Sequence, residues 1–215
     1  MNLKNKIIRD LRDAIVNRDF RPGERLKEND LCKMFNVSRT PVREALNHLE
    51  EEGFIQIIPG VGAKIIKLSL EDILKIYDVL IILEGAASRF ACSQISDNQI
   101  EKLREHNFLL ERAIDENNKE LIFELNAHFH WLITEATKNP HLITIRANYR
   151  LLTNVITRVF PSIPGQSTAT LMAHRKIVDS LKSNNPTLSE FVMREHLEDA
   201  KKNLKEYLLH KEDEL

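Results

Sequence analysis

The stretch VSRTPVREALNHLEEEGFI, residues 37–55, has two arginines near its start, an apolar stripe along its length and three glutamates near its end. Thr40 followed by Pro41 predicts a helix start, because the hydroxyl can cap free backbone donors and the fixed φ of proline suits a first turn; Ser38 is a competing cap. Four apolar residues recur at helical spacing and predict the buried face: Val42, Ala45, Leu46 and Leu49. The stretch therefore predicts an amphipathic helix with a basic N-terminal end.

Arg39 and Arg43 are four residues apart, so they lie one turn apart on the exposed face of this helix. The planar fork of arginine matches O6 and N7 of guanine in the major groove, and Thr40 can contact a phosphate or a thymine methyl group. Because phosphates repel carboxylates, the glutamates at 50–52 should point away from a duplex. The charge distribution predicts a DNA-recognition helix that approaches by its N-terminal end.

The flanking sequence favours DNA binding over the alternative, an ordinary surface helix whose arginines contact only solvent. Residues 3–15 have the apolar spacing of a helix, and residues 31–36 predict a second, short one that ends at an asparagine. The β-prone runs within 54–68 flank a Pro-Gly turn and predict a hairpin. This order is typical of a winged helix-turn-helix, in which Gly60 and Gly62 would allow the wing tip to approach DNA closely.

The rest of the chain has a different composition and a different periodicity. Residues 1–68 hold 13 Lys and Arg against 10 Asp and Glu, whereas residues 69–215 hold 18 against 22. Capping-box patterns begin at Ser69, Ser96 and Thr187. About six helices are predicted in this part, over residues 70–93, 97–116, 119–137, 141–160, 168–183 and 187–211.

We therefore expect a mainly α protein with two domains: a winged helix-turn-helix over 1–68 and an all-α helical bundle over 69–215. The small positive charge of the first domain predicts a homodimer, which would double the phosphate contacts.

Composition excludes several classes of protein. No basic segment leads into a long apolar run, and the longest apolar stretch, VLIIL at 79–83, is far too short to span a bilayer. Cys32 and Cys92 both lie in apolar contexts, which suits a reducing cytoplasm and argues against a disulfide framework. We expect a cytoplasmic protein with no membrane partner.

Three histidines in the second half suggest a metal site. Asn126 and His130 are four residues apart, hence on one helix face, and His174 and His196 come from two later helices. A helical bundle holds a metal in its interior by such a set, one pair on a helix and single ligands from two others. His128 is two residues from both Asn126 and His130 and so points elsewhere. The alternative for each histidine is an ordinary core or surface residue, since no short motif links them.

The segment PGERLKENDLCKMFNVSRTPVREALNHLEEEGFI, residues 22–55, resembles the N-terminal domain of the GntR family of bacterial transcription regulators. The resemblance covers roughly residues 5–68. It implies that Arg39, Thr40 and Arg43 contact double-stranded DNA and that Gly60 to Gly62 form the wing tip. Asn29 is a departure, because several relatives place a DNA-contacting arginine there.

Residues 70–212 resemble the all-α FCD domain of the FadR branch of that family, through AHFHWLITEATKNPHL, AHRKIVDSL and MREHLEDA. Metal-binding members use one Asp and three His, and these positions hold Asn126, His130, His174 and His196 here. The resemblance thus implies a divalent metal, with Zn²⁺ favoured by three imidazoles and Ni²⁺ or Mn²⁺ as alternatives. The amide of Asn126 can ligate but lacks the charge of the usual aspartate.

The resemblance also implies an effector, a small carboxylate that occupies open positions on the metal. Many relatives place an arginine that contacts this acid in the first helix of the domain, where this chain has Leu80 within YDVLIILEG. Arg146 and Arg150 could replace that arginine; the alternative is that both face solvent.

Two functions fit these patterns. The first is a ligand-responsive regulator, most simply a repressor, that binds a pseudo-palindromic operator as a dimer and is not an enzyme. The second is a helical metalloenzyme acting on a small carboxylate. Glu135 and Glu195 neighbour the metal-ligand segments, but neither is placed as a general base, and the DNA-reading half has no role in an enzyme.

Overall fold

The computed structural model of the chain describes residues 3–16, 19–51 and 54–212. Two compact units are present, Met1–Ser69 and Leu70–Leu215. The mainly α architecture is confirmed, with a small three-stranded sheet in the first unit and helices throughout the second. In chain order the elements of the first unit are α1 (Leu3–Val16), β1 (Arg25–Leu26), α2 (Glu28–Phe35), α3 (Arg39–Glu51), β2 (Ile55–Ile58) and β3 (Gly62–Ile65).

Helix α3 buries the apolar face that its spacing predicts, and it packs against α1, α2 and β2. It begins at Arg39, so Ser38 occupies the cap position and the prediction that Thr40 caps the helix is wrong. Helix α2 ends as predicted at Asn36, which has a left-handed backbone with φ of 52°. Glu52 and Gly53, predicted at the end of α3, lie outside the described residues.

The wing is a sheet of strand order β1-β3-β2, antiparallel throughout. The predicted hairpin pairs Ile55 with Ile65 and Ile58 with Gly62. Gly60 and Gly62 have φ of 76° and 102°, which other residues adopt only with strain, so the turn requires glycine at both positions. Strand β1, which pairs Arg25 with Lys64, was not predicted.

The second unit is a helical bundle in which α4 packs along α9 and also contacts α6, α7 and α8. Its elements are α4 (Leu70–Cys92), α5 (Asp97–Asp115), α6 (Lys119–Ala136), α7 (Pro140–Thr157), a short 3-10 helix (Phe160–Ser162), α8 (Gln166–Lys182) and α9 (Pro186–Glu212). The prediction of about six helices is confirmed. Within the described part of the chain, no helix is both long and apolar enough to cross a membrane.

The helix starts of this unit test the predicted caps. The capping box at Ser96 and Gln99 is confirmed at the start of α5. The one predicted at Thr187 is wrong, because α9 already begins at Pro186 and the side chain of Asn185 accepts the hydrogen bond of the Leu188 amide at 3.1 Å.

Candidate functional site

The exposed end of α3 carries the residues predicted to read DNA. Arg39, Thr40 and Arg43 are all exposed. The opposite face of α3 is fixed to its own unit by four buried residues, Val42, Ala45, Leu46 and Leu49, each at most 3% exposed. Packing thus holds the helix while its basic end stays accessible, which is the geometry that a recognition helix needs.

Arg43 is positioned by an ion pair with Glu28 of α2. Its Nε donates to both carboxylate oxygens of Glu28, at 3.0 and 2.9 Å. Both bonds use Nε, which leaves the two terminal amino groups as donors for a base edge. Sequence reasoning missed Glu28, because the pair joins side chains of two different helices that are 15 residues apart in the sequence.

The wing adds basic groups to this unit. Lys64 on β3 is exposed, and Arg25 lies opposite it on β1. The Arg25 guanidinium lies 3.7 Å from the position a Cβ would take at Gly62. Arg25 is therefore a candidate phosphate contact that sequence analysis did not identify, since a strand of two residues has no alternation to detect.

In the second unit, three histidines from three helices converge in the interior. His130 of α6, His174 of α8 and His196 of α9 are all buried, and each has one ring nitrogen within 4.8 Å of a nitrogen of each of the others. The ring centroids lie 5.2 to 5.4 Å apart. This spacing is close enough for one ion to bind all three imidazoles after small side-chain adjustments.

The hydrogen bonding of the triad fits a metal better than an ordinary core. Both ring nitrogens of His174 are buried with no hydrogen-bond partner among the described residues. Phe129 stacks on the His174 ring with centroids 3.7 Å apart and so fixes its plane. A buried polar atom without a partner is unfavourable unless another group satisfies it. The alternative of an ordinary, hydrogen-bonded core histidine therefore does not describe His174.

The protonation states of His174 and His196 also suit metal binding. Burial lowers the pKa of His196 to about 3, with a further contribution from His130. Burial lowers the pKa of His174 well below its usual value, and His196 and His130 lower it further. Neutral imidazole is the form that binds divalent metals.

Asn126 lies one turn before His130 on α6 and lines a cavity together with His130 and His196. The cavity is small, about 40 Å³, and its other lining residues come mainly from α4, α7 and α9. A carboxamide oxygen at this position is a candidate fourth ligand.

Glu84 and Arg146 form a buried ion pair in the same cavity. The Glu84 Oε1 accepts from the Arg146 Nε at 2.5 Å, and the other oxygen lies 3.5 Å from Nδ1 of His130. Burial alone would raise the pKa of Glu84, but Arg146 and His130 outweigh it and bring the pKa to about 2. Glu84 is therefore a carboxylate beside the triad that sequence analysis did not single out; it is ionised and a weak base.

Of the remaining residues that the sequence singled out, one is buried in the cavity and two are exposed. Arg146 is 7% exposed and lines the cavity beside Leu80, so the solvent-facing alternative is wrong for Arg146. The side chain of Arg150 lies outside the described part of the structure. Glu135 and Glu195 are exposed, and Glu135 accepts a hydrogen bond from the Trp131 indole.

Comparison with known proteins finds a matching family model for each of the two units. Residues 3–65 match the model of the bacterial regulatory proteins of the gntR family, and residues 75–199 match the FCD domain. The HTH-type transcriptional regulator YdhC of Bacillus subtilis is 28% identical over 199 residues, which are 92% of this chain and 89% of YdhC. The HTH-type transcriptional repressor RspR of Escherichia coli is 28% identical over 204 residues, 95% of this chain and 90% of RspR.

The solved structure of E. coli McbR/YncC has the same fold, with a TM-score of 0.78 at 18% identity, over 97% of this chain and 99% of that chain. The matched relatives are transcriptional regulators and not enzymes. The chain therefore belongs to the gntR family of bacterial regulatory proteins, with an FCD domain as its second half.

Proposed function

We propose that the chain is a ligand-responsive repressor that binds a pseudo-palindromic DNA operator as a homodimer in the cytoplasm. Its second unit binds a divalent metal, most simply Zn²⁺, and a small carboxylate effector. The observation that carries this proposal is the presence, in one chain, of an exposed basic helix end at Arg39 and Arg43 and a buried triad with unpartnered ring nitrogens.

The first unit supports the DNA-binding part of the proposal. Arg39, Thr40 and Arg43 would contact base edges and phosphates of the major groove, and the wing with Gly60, Gly62 and neighbouring basic groups would follow the adjacent backbone. Relatives such as RspR are named as repressors, which favours repression for this chain. One unit offers few phosphate contacts, so two copies on two half-sites would give the affinity that an operator requires.

The second unit supports the metal and effector part. His130, His174, His196 and Asn126 would hold the ion, which supplies positive charge to attract an anion. The charges of Glu84 and Arg146 cancel in their ion pair, and burial keeps His174 and His196 neutral, so these four side chains supply no net positive charge. Arg146, on α7, would take the place of the arginine missing at Leu80 and orient the carboxylate. Carboxylate binding should therefore depend on the metal.

The test is DNA retardation by the full chain, using the DNA upstream of its own gene at low salt. We expect binding, and we expect one of a panel of small carboxylates to weaken it about 5- to 150-fold, a typical allosteric coupling, only when Zn²⁺ is present. Failure to retard this DNA both with and without Zn²⁺ would contradict the regulator proposal.

One variant tests the metal-binding part of the proposal separately from the DNA-binding part. His174→Ala should retain DNA binding, because α3 and the wing are unchanged, but should lose bound metal and the carboxylate response. Metal analysis that gives an unchanged metal content in this variant would overturn the ligand assignment and leave the DNA-binding part standing.

A further inference from the structure

A second pair of histidines lies on the surface of the helical unit, where α5 and α6 pack together. His106 of α5 is half-buried and His128 of α6 is exposed. Nδ1 of His128 lies 2.7 Å from Nε2 of His106, and the two rings are inclined at 55° with centroids 4.7 Å apart. Two ring nitrogens from different helices thus face each other at a solvent-accessible position.

The tautomer of His106 is set by its own helix. His106 makes a hydrogen bond to the backbone of Lys102, one turn earlier, and this bond raises its pKa, as a carbonyl acceptor does. Since Nε2 faces His128, the donor to that carbonyl is Nδ1, and Nε2 carries the lone pair. Metal-ligating histidines are oriented in the same way, by donating their second ring N–H to a carbonyl or carboxylate.

His106 is also held in the neutral form. Partial burial lowers the pKa of His106, and the neighbouring His128 lowers it further; the Lys102 carbonyl and Glu105 act in the opposite direction without reversing the shift. The lone pair on Nε2 is therefore available near neutral pH. Nδ1 of His128 then donates to Nε2 of His106 in the metal-free chain, and an ion bound to both nitrogens would replace this hydrogen bond, with the ring proton of His128 carried on its Nε2 instead.

From this geometry we infer that His106 and His128 form a second metal site, which binds a divalent cation of the Cu²⁺ or Ni²⁺ type through Nε2 of His106 and Nδ1 of His128. With metal–nitrogen bonds of about 2.0 Å, neighbouring ligands are ~2.8 Å apart in a square plane and ~3.3 Å apart in a tetrahedron. The observed 2.7 Å is closer to the square-planar value. Water would complete the coordination of an ion at this exposed position.

This site shares no ligand with the buried triad, and it does not rest on the proposed function. The two sets are neighbours, since His106 contributes to the lowered pKa of His174. Variants of His106 or His128 leave the triad ligands in place, so the two metal sites can be counted separately.

Copper content of the full chain tests the inference. Wild type, His106→Ala, His128→Ala and a control, His141→Ala, are dialysed to equilibrium against Cu²⁺, and copper per chain is measured. His141 is an exposed histidine on α7 and controls for the loss of an imidazole. We expect His106→Ala and His128→Ala each to lose one copper per chain relative to wild type, and His141→Ala to lose none.

Equal copper content in wild type and both pair variants would overturn the inference and leave the pair as two hydrogen-bonded imidazoles without metal affinity. The buried triad provides an internal reference in the same experiment. His174→Ala, dialysed alongside, should retain the copper that the surface pair binds, and His128→Ala in that background should remove it. If His174→Ala fails to fold, the comparison of the pair variants with wild type still decides the outcome.

Discussion

Arg43 sits at the point where base recognition would occur, and its ion pair with Glu28 limits where the guanidinium can lie. The two side chains are 60% and 36% exposed, so the pair itself contributes little to stability. Arg43→Ala should therefore leave the fold intact while weakening operator binding by about 1–3 kcal/mol and relaxing base preference at one position. Fluorescence anisotropy against an operator and its single-base variants measures both effects.

A matched control for Arg43→Ala is Arg104→Ala. Arg104 lies on α5 in the other unit, is 43% exposed and pairs with Glu101, so its removal changes net charge equally. If Arg104→Ala weakens operator binding as much as Arg43→Ala does, the effect is one of total charge and the assignment of Arg43 to base reading is wrong.

The buried pair of Glu84 and Arg146 makes a second prediction for single side chains. These side chains are 1% and 9% exposed, so removing one charge leaves the other desolvated and unpaired. Glu84→Gln should destabilise the helical unit by about 3–5 kcal/mol, measured by urea unfolding without metal. The double variant Glu84→Gln with Arg146→Met should lose less free energy of unfolding than the two single variants lose in sum. Additive losses would mean that the pair is not coupled.

At the scale of elements, Gly85 sets how closely α4 and α9 pack. A Cβ at this position would lie 2.8 Å from Cγ of Arg194, well inside van der Waals contact. Gly85→Ala gains about 1 kcal/mol in helix propensity but loses about 1–3 kcal/mol to overpacking, so we expect the variant to be less stable than wild type. Thermal unfolding of the full chain measures the change.

The matched variant for Gly85→Ala adds Arg194→Ala, which removes the clashing atoms. In the Arg194→Ala background, Gly85→Ala should stabilise the protein, because the overpacking is relieved and only the gain in helix propensity remains. A stabilising Gly85→Ala in the wild-type background would show that Arg194 moves aside readily and that Gly85 does not control the helix spacing.

The elements that sequence analysis missed are those without a periodic signal. Strand β1 has two residues and exists only because Arg25 and Leu26 pair with β3. The start of α9 was placed too late because a capping-box pattern at Thr187 competes with Asn185, and the helix adopts the earlier cap. The recognition helix and the bundle helices carry strong apolar periodicity, and for them prediction and structure agree.

At the scale of the whole molecule, the candidate site was only partly predictable for a related reason. His130, His174 and His196 were predicted from their positions on three helices and from the family resemblance, and the structure brings them together. Glu84 and Arg146 are 62 residues apart and pair only because α4 and α7 pack side by side. Such a pair leaves no local pattern, so only the tertiary structure reveals that Glu84 cancels the charge of Arg146 in the cavity.

Because the triad residues all belong to the second unit, Zn²⁺ should stabilise that unit through them. A ligand at 100 times its dissociation constant adds about 2.7 kcal/mol, which slows amide exchange up to about 100-fold where exchange requires unfolding. Hydrogen exchange with Zn²⁺ and after chelation should therefore show new protection in α6, α8 and α9. His174→Ala should lose this protection and His141→Ala should keep it. Equal protection in wild type and His174→Ala would mean that Zn²⁺ acts elsewhere, and the triad would not be the metal site.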